Sequence, residues 1–219
     1  MVDAVTYVSE LEGKHLDSFR QLVAAFTATL TKDNLTVVDL LKLEMRGVVE
    51  AIEVAALWLP DSEELDMKIA LAARAGDCAY HFHLLGERLT GHGVSPTSFD
   101  ARHGGYSKLF AFFRSLQTTE ERAAAGFLTL GGLNLMRFEA LAGWCDERGD
   151  GETAALYRGR LTGDEQRHVR EGREMLIAVA ASEESQARAR RTTYRTVELV
   201  GEVQDAALLR KFLTRSVRK

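Results

Sequence analysis

Apolar residues recur at helical spacing along most of the chain. In LLKLEMRGVVEAIEVAALW, which starts at residue 40, Leu40, Leu43, Gly47, Val48, Ile52 and Ala55 fall on one face of a 3.6-residue period. The pattern predicts a first helix from about Ser9 to Leu30, closed before Lys32-Asp33-Asn34, and a second from near Thr36 to Leu59-Pro60-Asp61. Ser62 with Glu63 and Glu64 opens a third, where acidic first-turn residues favour the helix dipole, and it runs to about Thr90. GHGVSPTSFDARHGG, residues 91–105, is the one long irregular connection. A short aromatic helix, YSKLFAFFRSL, follows. Thr118 to Glu121 starts another long helix that reaches about Arg148, Gly149-Asp150-Gly151 turns it, and a further helix extends to about Ala181. Strand-like runs are missing and there are only two prolines, so the fold class expected is all-α.

The central part repeats itself. GDCAYH at 76–81 answers to GDEQRH at 163–168, each on a helix entered by a short turn, LPD at 59–61 and RGD at 148–150. Two helical hairpins so related pack as a four-helix bundle. In the second copy Glu165 and His168 are three residues apart, about 60° around a helix and about 4.5 Å along it. A carboxylate oxygen and an imidazole nitrogen so placed can meet on one ion, as in bundles that hold iron or manganese. The same spacing in a solvated helix is an ordinary polar pair. Level matching favours the ligand reading. Glu44 lies 16 residues before Pro60 and Cys78 18 after it, while Asn134 lies 15 before Gly149 and Glu165 16 after it. At about 1.5 Å per residue these positions share one layer roughly 25 Å from the turns.

Charge and cysteine content narrow the setting. The net charge is −4, but residues 186–219 carry nine Lys/Arg, among them Arg188, Arg210, Lys211, Arg218 and Lys219, against three acids, a local +6 that leaves −10 elsewhere. The expected organisation is a helical bundle over 1–185 with a basic helical extension, 186–219, packing on the same domain. Such a tail binds anions or simply neutralises the acidic body. Two cysteines, Cys78 and Cys145, with no secretory leader point to a reducing cytoplasm. No apolar run approaches the roughly 18 residues that cross a bilayer. No dinucleotide or phosphate-loop fingerprint competes, since GGYSKLF lacks the required ending and setting.

With HFHLLGERLTGHGV (81–94) and ALYRGRLTGDEQRH (155–168) added to these motifs, the chain resembles the ferritin-like di-iron carboxylate superfamily. Within it, the similarity is to the branch of the tRNA methylthio-isopentenyl-adenosine hydroxylases, over roughly residues 34–180. The resemblance places the family's helix-one Glu on Glu44 and the helix-two Glu-x-x-His on Cys78 and His81. It places the helix-three Glu on Asn134 and the helix-four Glu-x-x-His on Glu165 and His168. Two of four carboxylates are replaced. What it implies is a metal site of Glu44, His81, Glu165 and His168, with one or two iron ions, manganese as an alternative, and one ion bound more readily than two. Asp77 and Asp164, matched in the repeat, either orient the opposite histidines or are solvated acids.

Several alternatives stay open. Glu50 and Glu139, each ten residues before its turn, define a second register for the layer. Cys78 reads as a soft ligand, a reactive thiol or a small buried apolar group. Phe110, Phe112 and Phe113 line a channel or fill the core. The function implied is an oxygen-dependent non-haem iron oxidoreductase of the hydroxylase or monooxygenase type, with dioxygen and an organic substrate as partners. Its competitor is a non-catalytic ferritin-like protein with a degenerate site. A tRNA partner follows from the branch resembled, although the acidic body offers phosphate little beyond the basic tail. A homodimer is compatible with such a bundle.

Overall fold

The computed structural model describes residues 2–215, and among them every regular element is helical. The helices are α1 (Ala4–Lys14), α2 (Leu16–Lys32), α3 (Val37–Asp61), α4 (Leu65–Gly91), α5 (Lys108–Ser115), α6 (119–146), α7 (151–179), α8 (Glu183–Val203) and α9 (Ala206–Arg215). A 3₁₀ turn at Pro96–Ser98 interrupts the long connection between α4 and α5. Helices α3 with α4 and α6 with α7 form two hairpins whose four helices pack together. No described helix is long and apolar enough to cross a membrane.

Local chemistry sets the helix ends. Thr36 and Asp39 form a capping box at the start of α3, and Thr118 and Glu121 do the same for α6. Pro60 sits in the last turn of α3, where the Ser62 hydroxyl donates to the Trp58 carbonyl. Gly149, at φ 75°, makes the turn into α7. Asp150 caps α7 by accepting from the Thr153 amide and hydroxyl, and its carboxylate also pairs with Arg88 at 2.8 Å and His92 at 2.8 Å. That one residue ties the end of α4 to the start of α7.

The expected first helix is two. The chain breaks at His15, which takes φ −103° and ψ −1° and turns a buried ring edge-on to Tyr194 at 4.8 Å. The sequence boundary at 185/186 falls inside α8, which starts at Glu183. Helix α8 is bound to the body through Tyr7 Oη donating to the Gln186 carbonyl, through Thr129 with Thr193, and through Arg188 with Glu120. Helix α9 buries Phe212 in the apolar cluster of Leu40, Met45, Phe138 and Leu161. Of the basic tail, Arg218 and Lys219 lie outside the described residues.

Both helices of the second hairpin contain a π-helical segment, Ala123–Thr129 in α6 and Tyr157–Leu161 in α7, which no sequence pattern had signalled. Each lies just ahead of the layer positions, Asn134 and Glu165. The π turn in α6 also enables close approach to its neighbours. A Cβ built on Gly172 would lie 2.2 Å from Phe127 Cβ, and one on Gly126 would lie 2.9 Å from the Trp58 ring. Glycine is required at Gly172 because no side chain fits between α7 and this segment.

Candidate functional site

Glu44 on α3, Cys78 and His81 on α4, Asn134 on α6 and Glu165 on α7 are lined up on one interior cavity of about 440 Å³. Gly131 on α6 makes room for the Glu165 carboxylate, since a Cβ there would stand 2.9 Å from Oε1 and 2.6 Å from Val169 Cγ2. Glu44, His81 and Glu165 are each about 95% buried, and His168 is wholly so.

The outer contacts follow the repeat in a crossed fashion. His81 donates from Nε2 to Asp164 Oδ2 at 2.9 Å, and His168 donates from Nε2 to Asp77 Oδ2 at 2.9 Å. Each aspartate of one copy thus holds the histidine of the other, and neither is a solvated acid. Arg167 contacts Asp77 at 2.5 Å and Asp164 at 3.2 Å, and Arg160 lies 3.6 Å and 2.6 Å from them. With Nε2 on a carboxylate, the other ring nitrogen of His168, Nδ1, faces inward. It is buried, has no hydrogen-bond partner, and lies 3.8 Å from Glu165 Oε2.

The inner contacts are those the sequence reading missed. Arg137 on α6 grips Glu44 with both guanidinium nitrogens, Nη1 to Oε1 at 2.8 Å and Nη2 to Oε2 at 3.2 Å. Arg74 on α4, only 6% exposed, donates Nη2 to Glu165 Oε1 at 3.3 Å and stacks its guanidinium over the Phe127 ring. Burial pushes the Glu165 carboxyl up, but Arg74, His168 and the Asn134 amide pull it down further, to about 2. A signal was present. Arg74 is four residues before Cys78 and Arg137 three after Asn134, so each of these two positions has an arginine one turn away on the same face.

The remaining candidates separate. Burial drives the Cys78 thiol up to about 12, with Glu165, Asp77 and Asp164 adding to it and Arg74 opposing, so at neutral pH it is an S–H group packed in the interior. Glu50 does not join the layer. Its oxygens accept from the Ser107 amide at 2.8 Å and hydroxyl at 2.5 Å, which fixes the start of α5. Glu139 is exposed and pairs with Arg158 at 3.4 Å. The second register therefore is not assembled. Phe110 and Phe113 both line the cavity and belong to the core.

A divalent cation needs converging lone pairs and uncompensated negative charge. Here both Glu44 oxygens and one Glu165 oxygen are occupied by guanidinium, Asn134 is neutral, and Cys78 holds its proton. The two inner carboxylates are matched by two arginines before any metal is considered. Among the described residues no three His, Cys, Asp or Glu side chains gather as a metal-holding group. This donor set does not fit a two-metal centre. Its two imidazoles are each held by an aspartate.

Compared with protein-family models, curated proteins and solved structures, the chain matched none.

Proposed function

We propose that the chain is a ferritin-like four-helix bundle in which two arginine–carboxylate pairs stand where such bundles carry metal, and that its function is to bind an organic molecule in the adjoining cavity without catalysing its oxidation. The observation that carries this reading is the pairing of Arg74 with Glu165 and of Arg137 with Glu44 in the layer where the resemblance places ligands. A guanidinium supplies fixed positive charge and directional donors but no open coordination position and no redox chemistry. The cavity of about 440 Å³ is within the usual size range of small-molecule sites, and its wall is mostly apolar.

A second reading, an oxygen-dependent iron or manganese oxidoreductase, draws on one specific observation. Both layer histidines have Nε2 anchored on a carboxylate, as metal-ligating histidines do, and His168 Nδ1 is free of any partner. Elemental analysis distinguishes the two. Protein grown with added iron and with added manganese is expected to carry far less than one equivalent per chain. One equivalent that disappears in Glu165→Ala, while the helix content stays intact, would overturn the metal-free reading in favour of the oxidoreductase.

A further inference from the structure

The chemical class of the ligand can be taken further, resting on the cavity reading above, because the two ends of the cavity differ. At the inner end each carboxylate is matched inside the protein, Glu44 by Arg137 and Glu165 by Arg74. The wall beyond is apolar, with Val54, Leu71, Phe110, Phe113, Leu130 and Leu133. An ionic group brought to that depth would be buried without a counter-charge, which is strongly unfavourable. Hydrocarbon costs nothing there and gains from leaving water.

The mouth is different. The exposed lining residues come from the loop around Tyr106 and Lys108 and from the α8–α9 end around Leu208 and Lys211. Two acids and three cations stand there. Glu50 holds Ser107, and Glu202 takes Lys108 at 2.6 Å. Lys211 is exposed, and Arg46, 3.9 Å from Glu50, extends across the Phe212 ring at 4.8 Å with Nη2 on the Gly105 carbonyl at 3.2 Å. Arg46, Lys108 and Lys211 against Glu50 and Glu202 leave the mouth one positive charge in excess over an apolar interior.

We infer that the cavity takes an anionic amphiphile, with an apolar chain or ring system inside and a carboxylate held at the mouth by Arg46 and Lys211. Calorimetric titration with three probes of equal chain length, dodecanoate, 1-dodecanol and dodecylammonium, each below its aggregation concentration, tests this on the full chain. Dodecanoate is expected to bind one per chain and about tenfold or more tighter than dodecanol, with dodecylammonium weakest. In Arg46→Glu/Lys211→Glu, checked for native helix content, dodecanoate falls to or below dodecanol while dodecanol is unchanged. Ala51→Trp, which fills the cavity from α3, weakens both dodecanoate and dodecanol. Equal affinity for dodecanoate and dodecanol, both lost in Ala51→Trp, would overturn the anionic head group and leave the cavity reading standing. Binding of no probe, or binding indifferent to Ala51→Trp, would overturn both. Metal uptake is measured separately, so a failure of the metal-free reading is seen independently of either result.

Discussion

Glu165 is a carboxylate fully enclosed by protein, and it stays ionised because its neighbours outweigh the cost of its burial. That balance is open to measurement. Its carboxyl is held at about 2 against 4.5 when unfolded, so ionisation contributes stability that is present above pH 4.5 and lost as the pH falls toward 2. At 1.36 kcal/mol per pH unit the contribution is about 3 kcal/mol. Urea titrations of the wild type between pH 5 and pH 2 are expected to show this loss, and Glu165→Gln is expected to lack it. Equal slopes in the two proteins would mean that the carboxylate is not stabilised as described. Removing the partner is the harsher change. Arg74→Met leaves Glu165 buried and unpaired and is expected to cost about 3–5 kcal/mol, most of it recovered in Arg74→Met/Glu165→Leu. A single variant no weaker than the double would count against the pair. The thiols give a third check at this scale. Cys78 and Cys145 are buried and both pushed up to about 12, so a thiol reagent at pH 8 is expected to label neither until the protein unfolds. Stoichiometric labelling of folded Cys78 would restore the reactive-thiol reading. These residues also mark the limit of sequence reading. Positions 44, 78, 134 and 165 could be levelled by counting from turns, because a helix rises by a constant amount per residue. Arg74 and Arg137 stand one turn from Cys78 and Asn134 in the same sequence, but a metal-ligand pattern specifies lone pairs and gives no position to a cation.

At the scale of the helix, boundaries followed capping chemistry wherever caps were strong. Thr36, Thr118 and Asp150 each start a helix where the sequence placed one, since each offers an oxygen to unpaired amides of the first turn. The break at His15 and the π segments were not legible. The first has no proline or positive-φ glycine to announce it, and the second is a change of hydrogen-bond register decided by what the helix packs against. Close packing there leads to a prediction. Gly172→Ala forces a methyl group to within 2.2 Å of Phe127 Cβ, between two helix backbones that have no flexible side chain to move aside. Its expected cost is about 1–3 kcal/mol in urea unfolding, as for other overpacked interiors. Gly143→Ala, in the same helical hairpin with nothing within 4 Å of the new Cβ, is expected to stabilise by about 0.5–1 kcal/mol through helix propensity alone. If both substitutions stabilise, α7 does not approach the π segment of α6 as closely as described.

For the whole molecule, the question is how a helical interior that encloses Glu44 and Glu165 remains charge-balanced. A layer with Glu44 and Glu165 alone would place two negative charges in a space shielded from water, which is untenable without cations. Arg137 and Arg74 provide those cations from within the chain, and the crossed histidine–aspartate pairs keep the two hairpins in register around them. Reversing that charge balance is expected to convert the layer. In Arg74→Leu/Cys78→Glu/Asn134→Glu/Arg137→Leu the layer would hold four carboxylates, two histidines with anchored Nε2 atoms, and no guanidinium, leaving four negative charges for two divalent cations to balance. That variant is expected to unfold more easily than the wild type in the presence of a chelator, because its acids repel one another. Added Fe(II) or Mn(II) should then restore its stability and be retained at up to two equivalents per chain, whereas the wild type should gain nothing from either ion. Binding of metal by both proteins would show that the arginines move aside on loading. Binding by neither would show that the layer, although levelled as the repeat requires, does not converge on a common point.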